Sequence, residues 1–410
     1  MGWYGVNRPM ARREKRILLL LGLLVLLAYA TLILLVVDWV FLTPGVFQVQ
    51  IVSPPDGFIT RQGETLTVQA LATGQDLTKA ELWVDEVLVE RATNSGGAGM
   101  TTWSITHLWV SQGQGQHQLS VKVYDLSDRV LASPSIVVGV VPLRRIVFAS
   151  DRDGNYEVYT MYADGRELVR LTSGPEQDRE PSCSSAGFLL FASTAVEGGT
   201  DIWLMEPDSR GRMNLTAALG ADYSPRWSPD NEAIAFVSDR HGPSQLYLVN
   251  PDGSGQFQLT SEDTYLEQPS WAPDGSSLLF AAERHGNRDI FSILLDEGTV
   301  SRLTDDPAQD WYPAWSPRGD QIAFVSDREG SHQIYIMGAD GLGQRRVTAF
   351  QSGAEQPRWS PDGEWIIFVA YTGRGERLKA REIYIMRPDG SDQMRLTDNA
   401  FDDTEPSWCQ

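Results

Sequence analysis

The side chains able to do chemistry in this chain fall into a few groups. His241, His285 and His332 lie in turns at related places. Histidines gathered on one rim could hold a metal or move protons. His332 is offset by two positions from the other pair, however, and no carboxylate partner is implied, so all three read as exposed turn residues. Asp178, Asp222, Asp310 and Asp403 each stand three residues before a proline, with Leu266 and Ala354 in the equivalent places. Such carboxylates either gather at one mouth of a channel as an acidic funnel for a cationic segment or ion, or cap their own loops by accepting backbone N–H groups. Arg374, Arg377, Lys379 and Arg381 are opposed only by Glu376 over 371–381, a charge of +3. That loop is either solvated decoration or a partner contact, since variable loops on rigid scaffolds often carry binding. DRDGN at 151–155 opens like a Ca²⁺ loop, but position twelve is Tyr162 where a bidentate Glu is needed. The related turns DRHGP, ERHGN and DREGS vary at the third position, which suits a turn better than a ligand shell. No metal and no cofactor is therefore expected. HExxH, GxSxG and GxxxxGK[ST] are absent, and no catalytic constellation is evident, so the chain reads as a non-enzyme.

Repetition tells which elements carry these groups. Leu-Thr or Val-Thr pairs end at Thr172, Thr216, Thr260, Thr304, Thr348 and Thr397, with steps of 44 residues and a final step of 49. Tyr159, Trp203, Tyr247, Phe291, Tyr335 and Tyr384 keep the same steps, and a P-x-W unit ends at Trp227, Trp271, Trp315, Trp359 and Trp408, with Cys183 in the sixth slot. Each repeat holds four short strands joined by Asp/Gly-rich turns, which supply the left-handed backbone of tight hairpins. Four strands repeated six times describe a six-bladed β-propeller. The array enters on a second-type strand at Ile146 and ends on a first-type strand at EPSW, so residues 404–409 should pair with 146–150 and close the ring. The repeated Trp residues read as packing between blades. Cys183 and Cys409 fall on inner strands of neighbouring blades, one residue out of register. Packed sheets lie ~10 Å apart and a disulfide needs Cα atoms within about 7 Å, so free thiols are favoured, with a bond open where the gap narrows near the axis.

Before the array, 46–141 reads as short alternating runs such as ETLTVQALA (64–72) and HQLSVKVYD (117–125), a sandwich of about seven strands. Residues 17–37 hold 21 residues without a charge, preceded by Arg8, Arg12, Arg13, Lys15 and Arg16, opposed only by Glu14. That length spans ~30 Å of hydrocarbon, and the basic flank puts the N-terminus in the cytoplasm. Ala28-Tyr29-Ala30 offers the rival reading of a cleaved signal, but the apolar run continues past it. With 54 acidic against 34 basic side chains, a net charge of −20, nucleic acid is not a partner.

WSPD (227–230), SDR (238–240) and LT (259–260) resemble the repeat of TolB-like propellers, which is also found in prolyl-oligopeptidase-type enzymes. SPPDG (53–57), GETLTVQA (63–70) and GQHQLSVKVYD (115–125) resemble bacterial Ig-like domains. The expectation is an all-β chain: a basic tail (1–16), a transmembrane helix (17–40), an Ig-like β-sandwich stalk (44–142) and a TolB-like six-bladed β-propeller (145–410). TolB has an α/β domain where this chain has an anchor and an Ig-like segment, and no α/β-hydrolase domain is attached. The charge-free run and its basic flank predict a single-pass protein of the cell membrane with extracytoplasmic domains, and with the propeller resemblance the expected role is recognition of a protein or cell-envelope ligand. The contrasting expectation is a polysaccharide lyase or hydrolase acting at the propeller mouth.

Overall fold

The computed structural model describes residues 47–94, 101–207, 211–217, 220–371 and 380–409. The expected basic tail and transmembrane helix lie outside them, as do Arg374, Arg377 and Lys379. Among the described residues no helix is long and apolar enough to cross a membrane. The chain divides into two units, the first holding most of 47–138 and the second most of 139–409.

The first unit is built from two sheets. Strands β1 (Gln48–Ser53), β3 (Thr65–Thr73) and β6 (Thr102–Val110) form one, in the order β1-β3-β6. The other runs β2 (Phe58–Arg61), β9 (Ile136–Val141), β7 (Gly115–Asp125), β4 (Leu77–Val84) and β5 (Val87–Thr93), with β8 (Val130–Ala132) on β7. The alternation seen in sequence is the alternation of faces: along β7, Leu119, Val121 and Val123 are fully buried while Gln118, Ser120 and Lys122 are not. Nine strands form where about seven were expected; the additions include the short β2 and β8.

The second unit consists of six four-stranded antiparallel sheets, the blades of a propeller. Blade one takes its inner strand, Asp403–Cys409, from the far end of the repeat array and its other strands from Arg145–Ser150, Glu157–Tyr162 and Val169–Arg170. Ile146 pairs with Trp408 and Arg145 with Cys409, the closure expected from the order of repeats. The inner strands of blades two to six are Gln177–Cys183, Asp222–Trp227, Leu266–Trp271, Asp310–Trp315 and Ala354–Trp359.

Two repeated residue types account for most of the regularity. Phe148, Phe191, Phe236, Phe280, Phe324 and Phe368, all buried, lie directly across the ladder from Tyr159, Trp203, Tyr247, Phe291, Tyr335 and Tyr384. Where these rings stack or tilt together, their centroids are 5.5 Å apart in blade three and 6.0 Å apart in blade one. Such pairs add roughly 0.5–1.5 kcal/mol beyond their buried area. The threonine of each Leu-Thr pair accepts the N–H of a third-strand residue, as Thr260 does from Leu246 at 3.0 Å and Thr348 from Ile334 at 2.8 Å. All six threonines do this, which is why the motif recurs. Indoles fasten blade to blade: Trp271 donates to the Arg226 carbonyl (3.1 Å), Trp359 to Ala314 (3.1 Å) and Trp408 to Arg358 (3.3 Å).

Candidate functional site

The inner strands line the central channel, and the aspartates at their starts do not open onto it. Asp178, Asp222, Asp310 and Asp403 are all buried. Arg240 donates to Asp222 at 2.7 Å, Arg328 to Asp310 at 3.1 Å and Arg152 to Asp403 at 2.7 Å. Each of these arginines also donates Nε to the serine two residues before it. Their guanidiniums stack over the aromatic rings of the blade, Arg240 at 5.0 Å from Tyr247 and Arg328 at 4.8 Å from Tyr335. The arginine of the SDR motif is thus a brace between inner strand and blade body. Asp178 has no such arginine and accepts the Ser193 hydroxyl at 2.5 Å; burial pushes its carboxyl up, as it does that of Asp310. The four carboxylates are closed within their own blades, three by an arginine in the turn just after the adjoining strand and Asp178 by Ser193 on that strand.

What faces the channel is the residue before each proline. Glu180, Ser224, Gln268, Tyr312, Gln356 and Glu405 all hold φ between 53° and 59°, a left-handed conformation that is uncommon outside glycine. The ladder register shifts at each inner strand there, so the proline marks a bulge. A side-chain relay holds these bulges. Glu405 accepts the N–H of Glu180 (2.8 Å), Glu180 that of Ser224 (2.6 Å), Gln268 that of Tyr312 (2.8 Å) and Gln356 that of Glu405 (2.8 Å). Glu and Gln reach the next blade. Ser224 is too short to do so, and the Tyr312 hydroxyl meets the Gln356 side-chain amide (3.5 Å) instead of its backbone N–H, so among the described residues the girdle of backbone bonds has two gaps. Desolvation raises Tyr312 to about 12, and burial, then the charge of Glu405, raises Glu180.

At the mouth just beyond this girdle, polar groups from several blades meet. Arg179 donates Nε and Nη2 to Glu405, at 3.1 and 2.6 Å, and lies 4.1 Å over the Tyr156 ring. The Tyr156 hydroxyl donates to Asp402 (3.2 Å), and Arg381 donates to both Asp402 (2.9 Å) and Tyr156 (3.1 Å). Arg381 is thereby the member of the basic loop that the structure describes, and it is engaged with the mouth. Tyr371 donates to Glu355 (3.1 Å), and His332 Nδ1 is hydrogen-bonded to the same carboxylate. His332 also meets Trp311 edge to face at 4.7 Å. The hydrogen bond to Glu355 raises His332, and burial raises Tyr371.

The absence of a carboxylate partner for His332 is therefore corrected. Glu355 comes from the next blade, 23 residues along, so spacing within one repeat could not reveal it. His241 is bonded to the Tyr247 hydroxyl at 2.7 Å. His285 lies beside Arg284 and Arg302, on blade four, so the histidines do not converge. Among the described residues no group of three or more His, Cys, Asp or Glu side chains is placed to hold a metal ion. Cys183 and Cys409 are joined as a disulfide, with Cα atoms 5.3 Å apart; near the axis the inner strands of blades one and two converge well inside the face-to-face sheet spacing.

The TolB beta propeller domain family matches residues 184–271 and 265–409, and the bacterial Ig domain family matches 48–121. No curated protein matches the chain. Among solved structures, a TolB from Acinetobacter baumannii is similar with a TM-score of 0.55 at 20% identity, over 72% of this chain and 80% of that one. A structure described as a TolB of Agrobacterium tumefaciens gives 0.52 at 24% identity, over 63% and 90%. The hydrazine synthase of Kuenenia stuttgartiensis gives 0.54 at 16% identity, over 65% and 47%. These likenesses share the fold.

Proposed function

Because the chain belongs to the TolB beta propeller family, we propose that it is a membrane-anchored, extracytoplasmic binding or scaffold protein whose propeller mouth recognises a protein or cell-envelope ligand. The observation that carries this reading is the mouth itself. Arg179, Tyr156, Arg381, Tyr371 and His332 present cationic forks and aromatic faces around one opening, and their carboxylate partners hold them in place. Arginine forks recognise carboxylate, phosphate and stacked rings. Arg381 brings the end of the basic segment that also holds Arg374, Arg377 and Lys379 to this surface. The anchor at 17–40 ties it to the membrane.

The test uses the full-length chain in detergent, as bait for an envelope extract with a glycan array alongside. Arg179→Ala, and charge reversal at Arg374, Arg377 and Arg381, should each reduce capture of the ligand found; unchanged capture by both removes the mouth from the binding surface. A reporter active only outside the cytoplasm, fused after Gln410, should be active; activity of a cytoplasm-only reporter would overturn the orientation. The second reading, a polysaccharide lyase or hydrolase, is favoured by the His332–Glu355 pair, which could move a proton. Turnover of an envelope polysaccharide that His332→Ala abolishes would select it.

A further inference from the structure

The position after the bulge proline repeats around the ring as Ser182, Arg226, Ser270, Ala314, Arg358 and Ser407. Four are small and two are arginine. The arginines belong to blades three and six, which stand opposite each other across the axis of a six-bladed ring. Both line one narrow cavity of about 20 Å³ in the channel, together with Glu180, Gln268, Tyr312 and Glu405.

The two guanidiniums are poorly matched by the protein. Arg226 Nη1 donates to the Pro225 carbonyl at 2.7 Å and Arg358 Nη1 to the Pro357 carbonyl at 3.0 Å. The buried Nε of Arg226 finds no acceptor. The nearby carboxylates are occupied elsewhere: Glu405 takes Arg179 and the Glu180 N–H, and Glu180 takes the N–H and hydroxyl of Ser224. Counting Arg179, three cations face two carboxylates, and burial favours the neutral form of Glu180. Desolvation works against both arginines, and Arg358 also feels the charge of Arg226. A guanidinium has no neutral form to adopt near neutral pH; both arginines are half-buried, and the desolvated, unpartnered Nε of Arg226 is costly to keep. An anion between them meets both demands at once.

We propose that Arg226 and Arg358 form a site for one small anion of carboxylate size, held between two guanidinium forks on the channel axis. Two sources share this chemistry: a free anion, or the side-chain carboxylate of an inserted acidic peptide. The cavity volume and the small residues at the other four positions limit the site to one such group.

The test is the thermal unfolding midpoint of the full-length chain, at constant ionic strength set with a bulky morpholine sulfonate. The probes are sodium acetate and an acetylated, amidated tri-aspartate. Acetate should raise the wild-type midpoint saturably, which identifies a free anion. A saturable rise at lower concentration of the peptide identifies a side-chain carboxylate. Arg226→Gln and Arg358→Gln should each weaken the response roughly tenfold or more, the loss expected for hydrogen bonds to a charged group. The corresponding lysine variants keep charge, lose the fork and should fall between. A wild type indifferent to both probes, or a double Gln variant that responds as wild type, overturns the site. If the Gln variants do not fold, crystals of the wild type soaked in bromide decide: an anomalous peak between the two guanidiniums supports the site, and its absence there rejects it.

Discussion

Reducing the Cys183–Cys409 bond should lower stability by several kcal/mol while leaving the folded propeller intact. The bond joins residues 226 apart in sequence. In the chain-entropy description, closing a loop of that length removes about 18 cal/mol/K from the unfolded ensemble, or about 5 kcal/mol at 25 °C. Measured values usually fall to about 2–4 kcal/mol, because real unfolded chains are already compact. The folded state should change little, since the strand carrying Cys409 is also held by pairing with Arg145–Ser150 and by the buried indole of Trp408. The assay is urea unfolding of the oxidised protein, the protein in phosphine reductant, and Cys183→Ser with Cys409→Ser, followed through the propeller transition alone. Reduced and double-serine proteins should agree with each other and fall below the oxidised one by about 2–5 kcal/mol. An oxidised protein within 1 kcal/mol of the reduced one would refute the reasoning; so would alkylation of both thiols in denatured protein before any reductant is added.

The remaining expectations concern single side chains. Asp310→Asn should destabilise by about 3–5 kcal/mol by stranding Arg328 in the blade, and a double-mutant cycle with Arg328→Met should recover part of that loss; simple additivity would dismiss the brace. Glu180→Ala should cost about 1–3 kcal/mol for the orphaned Ser224 N–H, and Glu180→Gln should cost less because an acceptor remains; equal losses would dissolve the girdle. His332 should titrate above 6.5 by NMR and return toward that value in Glu355→Gln. The raised folded value means that its contribution to stability is complete below the unfolded pKa and fades as pH rises through the folded one, so the two proteins should differ most in mildly acid solution. Thr260→Val should cost about 1–3 kcal/mol by leaving the Leu246 N–H without its acceptor.

The propeller was legible in sequence because its markers are contacts that every blade must make. A Phe on one strand meets an aromatic on the next, and a Thr accepts an N–H, so identity and spacing both repeat. The braces were half legible. Asp222 with Arg240 and Asp310 with Arg328 share one spacing, and blade four, with Leu266, sends Arg284 instead to Glu262. Reading SDR as a turn concealed this, since a hairpin turn explains Asp and Arg without asking where the guanidinium goes. The girdle was hidden because four different residue types at six positions serve one backbone conformation: Glu180, Ser224 and Tyr312 have nothing in common as letters. The mouth was hidden for another reason. Its pairs, His332 with Glu355 and Arg179 with Glu405, cross between blades, and no within-repeat pattern encodes a partner on a neighbour.

The two gaps in the girdle give the ring a preferred place to part. Among the described residues no side chain accepts the backbone amide of Gln268 or Gln356, so the junctions of blades three with four and five with six lack the bulge bond and rely on their indole bonds to Arg226 and Ala314 and on a long contact from Gln356 Nε2 to the Tyr312 hydroxyl (3.5 Å). The junction of blades one and two, beside the strand pairing that closes the ring, carries an ion pair, a bulge hydrogen bond and a covalent bond. In a hoop, the clasp is ordinarily the weak link; here it carries a covalent bond and a bulge bond that two of the other links lack. Under pulling force or partial denaturation the ring should spring at one of those inner junctions, staying joined at the clasp, and the amides of Gln268 and Gln356 should exchange with solvent sooner than those of Glu180 and Glu405.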